Sequence, residues 1–186
     1  TLVELMRGQD VVINLVGVLH DHDSRIPYGK GFGAAHVELP KKIVSAMKQA
    51  GVRRLVHMSA LGADPQGCSE YLRSKGEGEA IVMAAAKDLD VTVFRPSVIF
   101  GIGDSFLNTF ATIFKYAPSF AAGCMGAKFQ PVYVGNVADV FVACIDDVKT
   151  FGQRYELCGP KVYTLRELVE YVRDLTGYKH KKVKEL

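Results

Sequence analysis

Short apolar runs alternate with amphipathic stretches along this chain. The first run, residues 10–17, is nearly all apolar, which is typical of a strand buried on both faces. Two further runs, residues 54–58 and 91–94, each follow a stretch with helical spacing. Strands that alternate with helices in this way predict a parallel sheet covered by helices, so the pattern indicates an α/β fold.

The stretch between the first two strands predicts a loop and then a helix. Residues 20–33 are polar and contain several glycines, which favours a loop. Pro40 fits only near the start of the helix that follows, and Gly51 is well placed to end it. That helix has one apolar face, because apolar residues recur at helical spacing at Leu39, Ile43, Met47 and Ala50.

A helix is predicted over residues 69–87, and it contains Gly76 and Gly78. Each glycine costs a helix roughly 1 kcal/mol relative to alanine. We therefore expect backbone or a cofactor to approach this helix closely, with ordinary helix–sheet packing as the alternative. Thr164 and Glu167 form a capping box that opens the final helix. The elements between are a helix at 106–116, a strand at 131–134, a helix at 137–145 capped by Asn136, and a strand at 155–158.

Composition narrows the class of protein. Of the 186 residues, 48% are hydrophobic and 23% are charged, which is ordinary for a globular protein. A net charge of +3 is too small to argue for a nucleic-acid partner, and the basic tail at 179–184 is interpreted as a solvated end, with an anionic-lipid or protein contact as the alternative. Four scattered cysteines without a C-x-x-C pair indicate reduced thiols in a cytoplasmic setting. No apolar run reaches the roughly eighteen residues of a membrane span, so only peripheral membrane contact is expected.

The two ends of the chain indicate a piece of a longer protein. Thr1 falls within a helical pattern and is not an initiating Met, and the chain closes on a charged run. We therefore expect further elements outside these residues.

Candidate chemistry is concentrated where the predicted strands end. In open α/β sheets, ligands bind outside the carboxyl ends of the strands. The first strand ends at residues 14–17, the second at Ser59, and the third at Pro96, which forbids further ladder pairing.

Tyr71 and Lys75 lie four residues apart, one turn apart on the same helix face. A lysine ammonium there is expected to favour the phenolate and to lower the tyrosine pKa from about 10. With the Ser59 hydroxyl to hold a carbonyl oxygen, these groups are what carbonyl–alcohol interconversion needs beside a hydride carrier. The alternative is a tyrosine packed at a helix–sheet seam with a solvated lysine, because Tyr-x-x-x-Lys by itself is common.

The order of these segments resembles the extended or atypical short-chain dehydrogenase/reductases, which are NAD-dependent epimerase/dehydratase-like. Within them it is most similar to the branch that contains the NAD(P)H-binding accessory subunit of respiratory complex I and its bacterial relatives. The segments that carry this resemblance are Val11-Val-Ile-Asn-Leu-Val-Gly17, Gly51-Val-Arg-Arg-Leu-Val-His-Met-Ser59, Tyr71-Leu-Arg-Ser-Lys75, Arg95-Pro-Ser-Val-Ile-Phe-Gly101, Gly101-Ile-Gly-Asp-Ser-Phe-Leu-Asn108 and Gln130-Pro-Val-Tyr-Val134.

The resemblance implies a Rossmann-like, doubly wound parallel sheet that lacks its first βαβ portion, with a small C-terminal α/β substrate-side portion. Residues 1–100 would be the C-terminal part of the NAD(P)-binding domain, and residues 101–186 would complete it. The family's glycine-rich turn, which seats the pyrophosphate, is expected before Thr1. The choice between NAD and NADP therefore stays open.

The resemblance also implies roles for individual residues. Tyr71 would be the acid/base, Lys75 its electrostatic partner and a ribose ligand, and Ser59 a hydrogen bonder on the substrate or nicotinamide side. The cofactor would be lined at the first strand end by Leu15, Val16 and Gly17. The nicotinamide carboxamide would be met by Pro96, Ser97 and Val98.

Two functions follow from this resemblance. The first is an oxidoreductase or epimerase acting on a carbonyl or secondary alcohol of unknown identity. The second is a non-catalytic NAD(P)H-binding subunit of a redox assembly, peripheral to a membrane complex. A regulator of the NmrA type fits less well, because such proteins often lose the tyrosine. Expected partners are the dinucleotide, a small-molecule substrate, and either a second copy of the chain or a redox-complex subunit.

Three other segments also suggested sites. Residues 29–33 are interpreted as a mobile loop over the site, with a phosphate loop as the alternative. Residues 20–23, His-Asp-His-Asp, are interpreted as a solvated turn, with a metal site as the alternative. His57 is interpreted as a hydrogen-bonded core residue.

Overall fold

The computed structural model describes residues 1–186, which divide into two compact units. The first unit comprises Thr1–Pro96 and Asp139–Leu157, and the second comprises Ser97–Ala138 and Cys158–Leu186. In chain order the elements are α1 (Leu2–Met6), β1 (Val11–Asn14), α2 (Lys30–Phe32), α3 (Leu39–Ala50), β2 (Arg54–Met58), α4 (Glu70–Ala84), β3 (Asp90–Pro96), β4 (Ile99–Phe100), α5 (Leu107–Tyr116), β5 (Ser119–Ala122), β6 (Lys128–Phe129), β7 (Val132–Tyr133), α6 (Val134–Ala143), β8 (Gln153–Leu157), β9 (Tyr163–Thr164), α7 (Leu165–Leu175) and β10 (Lys182–Glu185).

A four-stranded parallel sheet in the order β1-β2-β3-β8 forms the centre of the first unit. The inner strands β2 and β3 are buried almost throughout. Apolar side chains of α1, α3 and α4 pack against the sheet in one core, which includes Met6, Met47, Leu55, Val82 and Val91. The parallel order and the covering helices confirm the predicted Rossmann-like α/β fold.

The strand β1 is shorter and more exposed than its sequence predicted. It spans four residues and pairs with β2 alone, so it lies at the edge of the sheet. The expectation of burial on both faces is wrong at Ile13, which is 41% exposed. The pairing of β1 with β2 ends at Asn14–His57, and Leu15, Val16 and Gly17 leave the strand and form a loop.

Helical structure before α3 starts earlier than predicted. α2 begins at Lys30, so the expectation that residues 29–33 form a mobile loop is wrong. The Asp21 carboxylate accepts the backbone N–H of Phe32 at 2.7 Å and thereby caps this start. A π-helical segment, Gly33–Glu38, then leads into α3. Pro40 has no N–H for the carbonyl of His36 four residues earlier, and the helix widens to the π form at that point.

The glycines of α4 allow two backbone segments to approach it. A Cβ on Gly76 would lie 2.3 Å from the carbonyl carbon of Asp64, and one on Gly78 would lie 1.8 Å from the carbonyl oxygen of His36. The predicted close approach at these glycines is therefore confirmed, and the approaching group is backbone. The side chain of Ser69, which the sequence had placed inside the helix, caps its start.

A buried arginine binds the second stretch of the first unit, Asp139–Leu157. Arg54 donates from Nη2 to the carbonyl of Cys144 at 2.6 Å and from Nε to that of Ile145 at 2.8 Å. Its guanidinium also lies over the Phe151 ring, 4.6 Å from the centroid. Asn136 was predicted to cap α6, but the helix begins at Val134 directly after β7, so Asn136 lies in its first turn and that prediction is wrong.

The second unit has its own aromatic core, built on α5 and α7 with Phe110, Phe114, Phe120 and Val169. Three two-stranded pairs accompany these helices: β4 with β7, β5 with β10, and β6 with β9. Thr164 and Glu167 form the predicted capping box of α7. Asp104 accepts the N–H groups of Phe106 and Leu107 and so caps α5. No helix of the chain is long and apolar enough to cross a lipid bilayer.

Candidate functional site

The carboxyl ends of β1 and β2 are joined by a buried side-chain pair. Asn14 Nδ2 donates to His57 Nδ1 at 3.0 Å, and Asn14 Oδ1 accepts the N–H of Val16 at 3.2 Å. Since the Nδ1 atom of His57 accepts, its proton lies on Nε2 and the ring is neutral. Burial, together with the nearby Lys75 ammonium, lowers the pKa of His57 to about 3. His57 is a hydrogen-bonded core residue, as the sequence indicated.

The loop after β1 runs along the surface beside Lys75. Leu15 and Val16 are about half-exposed. A Cβ placed on Gly17 would lie 3.5 Å from His36 Nε2 and 3.9 Å from Lys75 Nζ. The structure therefore brings Gly17 and Lys75 together, and the missing Cβ leaves space next to the ammonium.

Lys75 is buried, and its ammonium is directed at the end of β2. Its Nζ donates to the carbonyl oxygen of Met58 at 2.7 Å. Burial lowers the pKa of Lys75 to about 8, while the carboxylate of Glu79 one turn further along α4 opposes this shift. An ammonium carries three N–H donors, so two remain for a ligand.

Tyr71 packs edge-on against two rings. Its ring centroid lies 5.5 Å from that of His36 and 6.2 Å from that of Phe32. Burial raises the pKa of Tyr71. The expectation that Lys75 lowers this pKa is wrong here, because the ammonium is bonded to the Met58 carbonyl and burial favours the neutral phenol.

His36 was not singled out from the sequence, and it lies at the centre of this group. It is buried, its Nε2 accepts the N–H of Val18 at 3.0 Å, and its Nδ1 lies 2.8 Å from the Oγ of Ser74. Burial, and then the charge of Lys75, lower the pKa of His36 to about 4. The only sequence signal was its position four residues before Pro40.

Ser59 directly follows β2, and its side chain faces the protein interior. Its N–H donates to the carbonyl of Phe94 at 2.7 Å. Its Oγ is the one buried side-chain polar atom without a well-formed hydrogen bond, yet it is close enough to the Glu79 carboxylate to help lower the pKa of that group. No hydrogen bond joins the Ser59 hydroxyl to Tyr71, and the predicted catalytic role of Ser59 stays a prediction.

Glu79 is a second residue that the sequence did not reveal. It is fully buried and is bonded by Arg95 through two hydrogen bonds and by Arg154 at 2.9 Å. Burial opposes its ionisation, but the hydrogen bonds from Arg95 and Arg154, together with the nearby Ser59 hydroxyl, outweigh burial and hold the Glu79 pKa below its usual value. Its signal was the spacing Tyr71, Lys75, Glu79, which places all three on one helix face.

The residues expected at the nicotinamide carboxamide are divided between the two units. Pro96 is buried at the end of β3, and its carbonyl accepts the N–H of Leu61 at 2.9 Å. Ser97 and Val98 belong to the second unit, where the Val98 carbonyl accepts the N–H of Val132 at 2.9 Å. An open pocket of the second unit is lined by Val134 and residues 99–105.

At the strand ends of the first unit, the described residues place one buried cation between two neutral imidazoles. Lys75 supplies the positive charge, and His36 and His57 stay uncharged at neutral pH. The chain contains no group of three or more metal-ligating side chains. Such an arrangement suits a ligand that accepts hydrogen bonds from an ammonium, such as a sugar hydroxyl.

Two family models match large parts of the chain. The model described as NAD(P)H-binding matches residues 1–109. The model of the 3-beta hydroxysteroid dehydrogenase/isomerase family matches residues 64–167. The two matches overlap on the segment that carries Tyr71 and Lys75.

Among curated relatives are two mitochondrial proteins and one bacterial protein. The NADH dehydrogenase [ubiquinone] 1 alpha subcomplex subunit 9 of Mus musculus is 37% identical, with 92% of this chain and 44% of the relative covered. The NADH-ubiquinone oxidoreductase 40 kDa subunit of Neurospora crassa is 31% identical, with 98% and 46% covered. Sterol demethylase protein B of Methylococcus capsulatus is 28% identical, with 74% and 47% covered. The chain thus spans less than half the length of these relatives.

Solved structures share the fold at low sequence identity. MoeE5 in complex with UDP-glucose and NAD superposes with a TM-score of 0.85 at 19% identity, over 99% of this chain and 68% of that one. DesIV, a dTDP-glucose 4,6-dehydratase from Streptomyces venezuelae, gives 0.85 at 19% identity, over 100% and 63%. The predicted epimerase/dehydratase-like fold is confirmed. By its sequence this chain belongs to the NAD(P)H-binding family, and residues 64–167 also place it in the 3-beta hydroxysteroid dehydrogenase/isomerase family.

Proposed function

We propose that this chain forms the nicotinamide-ribose side of a NAD(P)H site and serves as a non-catalytic NAD(P)H-binding subunit of a respiratory NADH dehydrogenase. The observation that supports a non-catalytic role is the burial of the Ser59 Oγ beside Glu79. The assembly is proposed from the relatives that are named as subunits of such a dehydrogenase.

The residues around Lys75 fit a dinucleotide ribose. Two N–H groups of the ammonium are free to donate to ribose hydroxyls, and Gly17 leaves the space beside them open. Leu15 and Val16 offer exposed apolar surface on the same loop. When bound, the dinucleotide supplies a nicotinamide ring that can carry a hydride.

Two features argue against proton transfer at this site. A hydroxyl that faces Glu79 inside the protein is poorly placed to hold a substrate carbonyl. A general acid or base works best when its pKa lies near the working pH. Burial moves the pKa of Tyr71 upward, away from that range.

The second candidate is an oxidoreductase or epimerase that acts on a carbonyl or secondary alcohol. It is favoured by the pair Tyr71 and Lys75 on one helix face and by the match to a dehydrogenase/isomerase family. In that case Tyr71 would give or take the proton at the substrate oxygen. Lys75 would orient the ribose.

Calorimetric binding of NADH and NADPH tests the proposal. The titration is made on the 186-residue chain and on a form extended at its N-terminus by the glycine-rich βαβ unit of a family member. We expect the extended form to bind one of the two dinucleotides. Failure of both forms to bind either one would overturn the proposal.

The variant Tyr71→Phe separates the two candidates. A non-catalytic subunit keeps its dinucleotide affinity within about tenfold, because at most one hydrogen bond is lost and the proposed ribose contacts of Lys75 remain. An enzyme loses turnover by a factor on the order of 100 or more when its acid/base is removed. Turnover is followed as NADH absorbance with a panel of ketones, and a Tyr71-dependent rate would favour the oxidoreductase.

A further inference from the structure

We propose that His36 is a positioning residue for the NAD(P)H site, which rests on the function proposed above. Its imidazole, as the neutral Nδ1–H tautomer, joins the loop after β1 to the helical turn that carries Tyr71 and Lys75. The His36 ring is hydrogen-bonded on one side to the backbone of Val18 and on the other to the side chain of Ser74.

The hydrogen bonds fix the tautomer. The backbone N–H of Val18 can only donate, so Nε2 of His36 accepts and carries no proton. The hydroxyl of Ser74 donates its single proton to the carbonyl of Tyr71 at 2.9 Å. The Ser74 Oγ therefore accepts from Nδ1–H of His36 at 2.8 Å. The network runs in one direction, from Val18 through His36 and Ser74 to Tyr71.

Ring contacts restrict the orientation of the imidazole. Phe32 stacks on it at a centroid distance of 5.5 Å, and the Tyr71 ring meets it edge-on at 5.5 Å. Gly17 also lies close to the ring, because a Cβ placed on it would be 3.5 Å from His36 Nε2. A ring held on these sides cannot turn without releasing Val18.

The backbone of His36 is also fixed. Pro40 removes the helical partner of the His36 carbonyl, and the π-helical segment Gly33–Glu38 carries the residue. That carbonyl approaches α4 at Gly78, where a Cβ would lie 1.8 Å from the oxygen. The π segment thus places the imidazole against the turn of α4 that holds Ser74 and Lys75.

Burial, and then the charge of Lys75, keep the His36 ring neutral. The ionisable groups that face it are Lys75 and Tyr71 from α4 and His57 from β2. Of these, only Lys75 is charged at neutral pH, and it opposes a second positive charge on the ring. A protonated Nε2 would donate and could no longer accept from Val18.

The first test reads the tautomer by NMR on the 186-residue chain labelled with ¹³C and ¹⁵N at histidine. We expect His36 to be the Nδ1–H tautomer and His57 the Nε2–H tautomer, so the two buried rings serve as controls for each other. An Nε2–H or protonated His36 at about pH 7 would overturn the proposal.

The second test compares two variants. His36→Phe keeps a ring and loses both nitrogens, whereas His36→Gln retains one acceptor and one donor. We expect faster hydrogen exchange of the Val18 amide in His36→Phe and restored protection in His36→Gln. Equal protection of Val18 in the wild type and in His36→Phe would contradict the proposal, and this readout requires no dinucleotide. The exposed-loop variant His22→Phe is the matched control.

The third test measures NADH affinity of the N-terminally extended form. A lost hydrogen bond of about 1.4 kcal/mol corresponds to roughly tenfold weaker binding, which we expect for His36→Phe, with most of the affinity regained in His36→Gln. Unchanged affinity in His36→Phe would overturn the positioning role while leaving NADH binding intact. Absence of binding in the wild type would instead overturn the proposed function, and the exchange of Val18 would still decide the role of His36.

Discussion

Arg95 and Glu79 form a bidentate ion pair between β3 and α4. Nε of Arg95 lies 2.8 Å from Oε2 of Glu79, and Nη2 lies 2.7 Å from Oε1. The Glu79 side chain is only 2% exposed, and Arg154 of β8 reaches the same carboxylate at 2.9 Å. One helix carboxylate therefore connects two neighbouring strands.

Replacing Glu79 should destabilise the first unit strongly. Glu79→Gln leaves the guanidinium of Arg95 without its counter-charge in a largely buried position, and breaking such a pair costs about 3 kcal/mol. Urea unfolding followed by circular dichroism measures the loss. Arg154 is about half-exposed, so Arg154→Gln is the matched control and should cost at most about 1 kcal/mol. Equal losses in both variants would contradict the dominant role of Arg95.

Acidification should destabilise the fold before the carboxylates titrate. The folded-state pKa values of His36 and His57 lie at about 4 and about 3, below the ordinary value of about 6.5. Below about pH 6.5 the unfolded state therefore binds more protons than the folded state, and stability falls as pH falls. Two such groups predict a slope on the order of 2 kcal/mol per pH unit near pH 5.

Urea unfolding at several pH values from about 7 to about 5 measures this slope. His57→Gln should reduce it by about half, because one of the two proton-linked groups is removed. A pH-independent free energy of unfolding over that range would show that both rings protonate freely in the folded state.

Gly78→Ala should destabilise the protein although it raises helix propensity. Alanine is favoured over glycine in a helix by about 1 kcal/mol. Its Cβ would lie 1.8 Å from the His36 carbonyl oxygen, so α4 and the π-helical segment would have to separate. We expect a lower melting temperature in calorimetry. Gly123→Ala, whose Cβ would meet nothing within 4 Å, is the control, and equal effects would refute the close approach.

Dinucleotide binding should depend on the charge of Lys75. Its pKa is lowered to about 8, so the side chain loses its positive charge and one N–H donor as pH rises through that value, and NADH affinity should fall there. Lys75→Met should abolish this pH dependence together with most of the affinity. The variant Lys75→Arg is not expected to restore NADH affinity, because a planar guanidinium cannot replace the compact ammonium that donates to the Met58 carbonyl. NADH titrations of the wild type and of Lys75→Met at about pH 7 and about pH 9 measure this dependence, and equal wild-type affinity at both pH values would contradict it.

Patterns within a single segment predicted the elements well. The strand β2, the capping box of α7 and the Gly51 end of α3 all follow from local spacing and capping chemistry. The π-helical segment was not predicted, because it depends on the coincidence of Pro40 with a glycine on another helix. The cap at Asn136 failed since nothing local shows that β7 runs directly into α6.

The site was predicted in part for a similar reason. The family resemblance implied that Gly17 and Lys75 belong to one site, and the structure brings these two residues together. The direction of the Ser59 hydroxyl was not predictable, because successive residues of a strand point to opposite faces and a shift of one residue reverses the outcome. His36 and Glu79 were missed because their hydrogen-bond partners lie far away in the chain and no local pattern marks them.

The buried Arg54 has a consequence for the order in which the chain folds. It binds carbonyls of residues 144 and 145, and β3 finds its outer partner only in β8. A nascent chain synthesised as far as Ala138 contains three of the four sheet strands but neither of these later contacts. The four-stranded sheet can therefore be completed only after residues 139–157 have left the ribosome, and until then β3 has an unpaired edge and Arg54 lacks its carbonyl partners at residues 144 and 145.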